Sequence, residues 1–326
     1  MPILNSEMKK FVVKLLAMTA LVSLCCGGIF AWAFLGGLKN VWPVTYQKGF
    51  VYQYRALERM PKDQPKVLII GGSYIVFSID GPFLEKELGM PVRLLGVHSG
   101  MGMTYIFEQA RKFINKGDVV IFPVVDDSCA EYGMPLIYIT IGDEIDLMKE
   151  FVVNHYDKVI PTFGQGVQTR VLTALKNVIA CGRKLPPRLP IYDARLFCSS
   201  NGFYCLERKS EWHGGLGKRI LLDVRKIDAE TRDMIRAFSA FVKSKGARFV
   251  MPYAPQPLEL IASTAAELDE FDRSMSVLFP DLILGSVREW CLPISDFFIE
   301  AGHLSSGGAR EYSRVLAAEL KRWAVR

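Results

Sequence analysis

Three side chains of this protein are of the types that transfer an acyl group. Ser73 follows an apolar run that breaks on two glycines, in "VLIIGGS". His303 lies far along the chain in "EAGHLSSGGAREY", and Glu300 stands three residues before it. A serine hydroxyl becomes a good nucleophile when an imidazole accepts its proton, and a carboxylate can orient that imidazole. We predict a nucleophile, a base and an acid here, with Asp296 as a second candidate for the acid; a glycine turn and a surface loop are the alternative.

The segments that carry these residues predict an α/β fold. Short apolar runs, typical of buried parallel strands, alternate with helical patterns: "KVLIIGG", "DGPFLEKELG", "PVRLLGV", "MTYIFEQARKFINKG" and "DVVIFPVV". The alternation returns after residue 217 with a helix that Asp228 can cap, the strand "ARFVMPYAP" and a last helix near residues 306–323. This order indicates βαβ units and a three-layer arrangement, a parallel sheet flanked by helices.

A parallel sheet would bring the distant residues together. In open α/β sheets, binding and catalytic groups gather at the carboxyl ends of the strands. The run "VLIIGGS" puts Ser73 at such an end, and a helix that begins there would aim its N–H groups at the site. Residues 127–217 lose the alternation, so we predict that they form an irregular insertion within a domain of residues 66–326.

The N-terminal part of the chain has the composition of a membrane anchor. Residues 15–38 carry no charge, and a helix needs about 20 residues to cross a bilayer. We predict a transmembrane helix at 15–38, after a cytoplasmic tail at 1–14 whose three lysines keep it inside. Residues 39–65 would form a juxtamembrane helix and linker, and the domain would lie in the periplasm, outside the bacterial inner membrane. A cleaved signal peptide and a lipoprotein site at Cys25 are the alternatives.

Charge and cysteine content limit which partners and bound groups the sequence predicts. The formal net charge of +6 is spread along the chain with no block of Lys and Arg, which argues against nucleic-acid binding. No Cys/His spacing is typical of a metal site and no glycine loop is typical of phosphate binding, so we predict neither metal nor cofactor. Cys198 and Cys205 flank an Asn-Gly turn in "FCSSNGFYC". This predicts a hairpin closed by a disulfide in an oxidising compartment, with free buried cysteines as the alternative.

Four segments together resemble a known family. They are "IIGGSYIVFSID", "LLGVHSGMGMTYIFEQ", "KGDVVIFPV" and "EAGHLSSGGAREYSRVLAAEL". They resemble the SGNH (GDSL-like) hydrolase superfamily, and more closely its membrane-anchored cell-envelope branch, which includes the D-alanyl transfer protein of teichoic-acid operons and the alginate O-acetylation proteins. The resemblance covers residues 66–125 and 247–323. It implies an SGNH-like (flavodoxin-like) sheet, with Ser73 as nucleophile, His303 as base and Glu300 where the family usually has aspartate.

The resemblance also implies an oxyanion hole. The N–H of Ser73 and that of Gly96, or of a neighbouring glycine such as Gly100, would stabilise the charge that develops on the acyl oxygen. Gly72 belongs to the same predicted oxyanion and substrate region. The third segment of the family usually supplies an asparagine, whereas this chain has Asp126, followed by a second aspartate. An ionised carboxylate cannot donate a hydrogen bond to an oxyanion.

Two function classes follow from these residues. The first is an enzyme that moves an acyl group, in the first place acetyl, onto or from an envelope or secreted polysaccharide; with water as acceptor it is an esterase. The resemblance implies a membrane-bound O-acyltransferase as donor partner. The second is a degenerate domain that binds polysaccharide or scaffolds an envelope assembly, which Asp126 favours. In the enzyme, the Ser73 hydroxyl should lie within hydrogen-bond reach of His303, and Glu300 within reach of the other ring nitrogen.

Overall fold

A parallel sheet of five strands forms the centre of the protein. The computed structural model describes residues 6–35, 47–124, 145–157, 196–212 and 219–324. The strands of the sheet are β1 (Val67–Ile70), β2 (Val92–Leu95), β3 (Val119–Ile121), β4 (Arg248–Pro252) and β6 (Ile283–Leu284). A separate pair consists of β5 (Gln256–Pro257) and β7 (Cys291–Leu292). All of these strand pairs are parallel, so the predicted parallel sheet is confirmed.

The strand order makes a crevice beside β1. The sheet runs β2-β1-β3-β4-β6, so the order reverses between β1 and β3. Val67 of β1 stands opposite Val92 on one side and Val119 on the other. All four residues of β1 are buried, since their aliphatic side chains point alternately to the two covered faces. Ligands of such sheets bind outside the carboxyl ends of the strands where the order reverses, and the chain leaves β1 there.

Helices cover the sheet. Within the described residues they are α1 (Ser6–Leu35), α2 (Gln47–Glu58), α3 (Ser73–Ser78), α4 (Gly81–Leu88), α5 (Met103–Arg111), α6 (Ile145–Asn154), α7 (Ala229–Ser244), α8 (Ala265–Leu278) and α9 (Ser306–Ala324). Phe107 of α5 stacks on Phe238 of α7, with ring centroids 4.1 Å apart. The N–H of Asp80, which caps α4, donates to Ser313 of α9. Asp228 caps α7 as predicted.

The helix α2 belongs to the domain rather than to a linker. Phe50 and Gln53 are completely buried, and the helix packs on β2. On the exposed side, the Arg59 guanidinium donates to the carbonyl oxygens of Ser199 and Ser200. The predicted helix is present, but the domain boundary predicted at residue 66 lies too late, because the apolar face of α2 completes the core.

The N-terminal helix α1 is long and apolar enough to cross a membrane. Over Ser6–Ile29 its mean hydropathy is 2.0, and none of it is buried in the rest of the protein. The predicted apolar helix is therefore confirmed. It begins before residue 15 because good helix formers, among them three lysines, precede the apolar run. Residues 36–38 lie outside the described residues.

The predicted cysteine hairpin is present, but its disulfide is not. The backbone of Cys198 donates to Phe203 and that of Cys205 donates to Leu196. This register places the two cysteines diagonally on one face of the hairpin, where their thiol groups interact with each other. Both are free thiols, and Cys198 Sγ lies 2.9 Å from Ser200 Oγ. Most of the predicted insertion at 127–217 lies outside the described residues.

Candidate active site

Ser73 is the first residue of α3, at the carboxyl end of β1. The chain turns from strand to helix over two glycines, and the serine is half-buried. A Cβ added to Gly72 would lie 2.9 Å from the backbone nitrogen of Ser99, so only glycine allows the loop after β2 to approach this closely. As the first helical residue, Ser73 also presents an N–H that the helix does not use.

His303 meets Ser73 from the other end of the chain. Its Nε2 lies 2.9 Å from Ser73 Oγ. The imidazole is buried, with an exposed fraction of 4%, and its ring centroid is 4.5 Å from that of Phe77 on α3. A short antiparallel pairing of Phe297 with Leu304 forms the loop that presents it. The sheet edge therefore brings a serine and a histidine 230 residues apart into hydrogen-bond contact.

Glu300 contacts the other side of the imidazole. Its Oε1 lies 3.0 Å from His303 Nδ1. The N–H bond does not point straight at this oxygen, which is common for catalytic pairs without substrate. Hydrogen bonding to His303 lowers the pKa of the Glu300 carboxyl group, and burial opposes this with a smaller effect. An ionised Glu300 favours the hydrogen on Nδ1, which leaves Nε2 to accept the proton of Ser73.

The two acids predicted for this role differ in their surroundings. The Glu300 side chain contacts His303 although 62% of it is exposed. Asp296 instead lies in the field of Glu311 and Glu259, and burial is the main cause that raises the pKa of its carboxyl group. Its backbone oxygen accepts the N–H of Ser305. Of the two predicted acids, Glu300 is therefore the one whose carboxylate lies beside the His303 imidazole.

The glycines predicted as oxyanion donors use their N–H groups elsewhere. The N–H of Gly96 donates to Oε1 of the buried Gln53, at 2.9 Å. The N–H of Gly100 donates to Nδ1 of His98, also at 2.9 Å. A Cβ on Gly96 would lie 1.7 Å from the carbonyl oxygen of Gly71, so this glycine is required for close packing of two strand ends. The prediction that Gly96 or Gly100 donates to the oxyanion is wrong, and Asp126 lies outside the described residues.

Arg208 is a residue of the site that the sequence did not reveal. Its side chain is buried, and it donates to the carbonyl oxygen of Phe77 at the end of α3 and to that of Leu304 beside His303, at 2.9 and 3.0 Å. Burial lowers its pKa to about 10, so the guanidinium stays charged at neutral pH. Its backbone also exchanges two hydrogen bonds with Ser306 at the start of α9. Arg208 therefore joins α3, which carries Ser73, to the loop that carries His303.

The described residues contain no group of three or more His, Cys, Asp or Glu side chains that could hold a metal ion.

Comparison with models of known protein families, with curated proteins and with solved structures found no match. The geometry of the site itself is informative: a serine, a buried imidazole and a carboxylate lie side by side, with the imidazole in the middle.

Proposed function

We propose that this protein is a serine-dependent acyltransferase or esterase of the SGNH type that acts on a polysaccharide outside the cytoplasm. The observation that carries the proposal is the 2.9 Å contact between Ser73 Oγ and His303 Nε2. The place of Ser73 after β1, of His303 before the last helix, and the reversal of strand order between β1 and β3 support the SGNH assignment. A degenerate scaffold has no need of a contact between the serine and the imidazole, so the presence of this contact favours the enzyme.

The reaction divides into two transfers. Ser73 Oγ attacks the acyl carbonyl carbon while its proton passes to His303 Nε2, and the leaving oxygen then takes that proton as its bond to the acyl group breaks. His303 next removes a proton from the acceptor, a sugar hydroxyl or water, whose oxygen attacks the acyl-serine. The proton returns to Ser73 as the serine leaves. Glu300 stabilises the imidazolium in both steps, and the N–H of Ser73 donates to the oxyanion.

The surroundings of Ser73 favour a small acyl group. A cavity of about 20 Å³ lies beside it, lined by Gly71, Gly72, Tyr74 and Ser99 together with apolar side chains. This is room for about one water-sized group. An acetyl methyl fits such a space better than a long chain does, and a half-buried serine beside an exposed Glu300 suits the hydroxyl of a polymer.

The N-terminal helix supports a location at the membrane. We propose that α1 anchors the chain in the inner membrane with the domain on the periplasmic side, since lysines precede its apolar stretch. A membrane-bound O-acyltransferase is the proposed donor of acyl groups, because an anchored domain would meet such a partner within the membrane plane.

The test compares two serines in the full chain. Purified in detergent, the wild-type protein and Ser244→Ala should hydrolyse a small acetyl ester, whereas Ser73→Ala should not; Ser244 is exposed at the end of α7. Polysaccharide acylation in cells should be lost in Ser73→Ala as well. Equal ester hydrolysis and equal polymer acylation by Ser73→Ala and wild type would rule out the enzyme. If Ser73→Ala loses ester hydrolysis but leaves polymer acylation unchanged, the protein is an esterase rather than a transferase.

A further inference from the structure

The active site described above needs a further donor for the oxyanion. Acyl transfer is accelerated most by hydrogen-bond donors placed where the carbonyl oxygen becomes negative. Ser73 supplies one backbone N–H, but the N–H groups of Gly96 and Gly100 are already bonded to side chains. A side-chain donor near Ser73 would complete the arrangement.

His98 lies at the edge of the site, in the loop that follows β2. The backbone of its neighbour Ser99 approaches Gly72 so closely that an added Cβ would lie 2.9 Å from the Ser99 nitrogen. Gly72 directly precedes the nucleophile. The charges of His303 and Glu300 both affect the pKa of the His98 imidazole, so this ring lies within electrostatic range of both side chains.

The hydrogen bond from Gly100 fixes which ring nitrogen of His98 carries a hydrogen. The Gly100 N–H donates to Nδ1 at 2.9 Å, so Nδ1 acts as an acceptor. The hydrogen of the neutral ring is then on Nε2, which makes Nε2 a donor. Burial lowers the pKa of His98, and the neighbouring His303 lowers it further, against a smaller opposing effect of Glu300. The His98 ring therefore stays neutral at neutral pH, and His303 remains the group that accepts the serine proton.

We propose that the Nε2–H of His98 donates a hydrogen bond to the acyl carbonyl oxygen as that oxygen becomes the oxyanion. His98 thus takes the place of the amide that the third sequence segment lacks. The inference rests on the proposed serine-dependent function and adds a second donor to the N–H of Ser73. The hydrogen bond from Gly100 has a defined purpose here, because it holds the imidazole in the donor tautomer.

Two substitutions of His98 separate this role from a structural one. The side-chain oxygen of asparagine can take the place of Nδ1 and accept from Gly100, but His98→Asn has no group at the position of Nε2. The amide nitrogen of glutamine reaches that position, but His98→Gln loses the acceptor for Gly100. We expect His98→Asn to lower kcat for a small acetyl ester by about 10²–10³-fold, as loss of one oxyanion donor does, and His98→Gln to stay within about tenfold of wild type. Wild-type kcat in His98→Asn, or the reverse order of the two variants, would overturn the proposal.

A measurement on the wild-type chain avoids any dependence on how the variants fold. A phosphonate bound to Ser73 carries a phosphoryl oxygen where the oxyanion would be. In protein that contains ¹⁵N-histidine, the Nε2–H resonance of His98 should move downfield when the phosphonate reacts with Ser73. An unchanged resonance after Ser73 has been modified by the phosphonate would contradict the proposal. If wild-type Ser73 is neither labelled nor active, the proposed function itself fails, and this outcome is distinct from activity without a contribution of His98.

Discussion

The two partners of the central imidazole lie in contrasting environments. On the serine side, the His303 imidazole is enclosed: it is 4% exposed, contacts Ser73 and packs against the Phe77 ring of α3. On the acid side, the Glu300 side chain is 62% exposed. Solvent screens such a carboxylate, so its interaction with the imidazole is weak. In the proposed enzyme, packing rather than the acid would therefore position the base.

The largest expected effect is on the enclosed side. His303→Ala should lower kcat for a small ester by about 10²–10⁴-fold, because it removes the group that accepts the serine proton. The double variant with Ser73→Ala should lose no more than Ser73→Ala alone, since groups that act as a unit are not additive. The matched control is His155→Ala, a histidine of the α6 region that contacts Glu108 and should leave kcat unchanged. Independent losses in the double variant would show that the two residues do not act together.

Removal of Arg208 should have the next largest effect. Arg208→Met leaves the carbonyl groups of Phe77 and Leu304 without their buried donor, which costs about 1–3 kcal/mol of unfolding free energy for each group left unsatisfied. Because these groups belong to the two segments that carry Ser73 and His303, kcat should fall also at temperatures where the variant is folded.

Denaturant unfolding and ester kinetics on the same preparations measure the two effects of Arg208→Met. Arg225→Met is the control, since that side chain is 85% exposed and its loss should change the unfolding free energy by no more than about 0.5 kcal/mol. A folded Arg208→Met variant with unchanged kcat and unchanged pH profile would show that Arg208 stabilises the domain without positioning the site.

Glu300→Gln should have a smaller effect. An exposed ion pair contributes about 0.2–1 kcal/mol, which corresponds to a loss of up to about fivefold in kcat. Because the pKa of Glu300 is lowered in the folded protein, its contribution is present above the ordinary carboxyl pKa of about 4.3 and is lost as the pH falls through the lowered value. The stability difference between wild type and Glu300→Gln should therefore shrink on acidification below about pH 4. A loss of 10³-fold or more in kcat would mean that the acid positions the base after all.

Asp296→Asn should have the smallest effect. Burial, with the fields of Glu311 and Glu259, raises the pKa of Asp296, so its ionised form is disfavoured in the folded protein. A carboxyl group of this kind favours folding below its unfolded pKa and disfavours folding as the pH rises above it. We expect Asp296→Asn to keep kcat within about twofold and to raise the melting temperature slightly at pH 7. A large loss of activity would return Asp296 to the position of the acid.

The sequence predicted those parts of the site that local patterns encode. An apolar run that ends in glycines placed Ser73 at the carboxyl end of a strand, and the alternation of strands and helices predicted the parallel sheet. Arg208 could not be predicted because its partners are backbone carbonyl groups that are distant in sequence. Phe77 is 131 residues away and Leu304 is 96 residues away, and no side-chain pattern marks either carbonyl group. The donors at Gly96 and Gly100 were predicted wrongly for a related reason. Whether an N–H is available depends on acceptors such as Gln53, 43 residues upstream of Gly96.

The hairpin shows a second limit of sequence patterns. The Asn-Gly turn predicted the reversal of the chain between Cys198 and Cys205, and the pairing of Phe197 with Tyr204 agrees with it. The register places the two cysteines diagonally rather than opposite each other, with their thiol groups close enough to interact. The turn and the spacing therefore predicted that the two cysteines lie close together, but not whether their sulfur atoms are joined, and both are free thiols.

Site-resolved covalent labelling tests most directly whether His303 activates Ser73. The full chain in detergent is treated with a fluorophosphonate, and the modified peptide is identified by mass spectrometry. We expect a label on Ser73, with a labelling rate at least about 10²-fold lower in His303→Ala than in wild type. A label on another serine, no label at all, or the same rate in both proteins would contradict activation of Ser73 by His303.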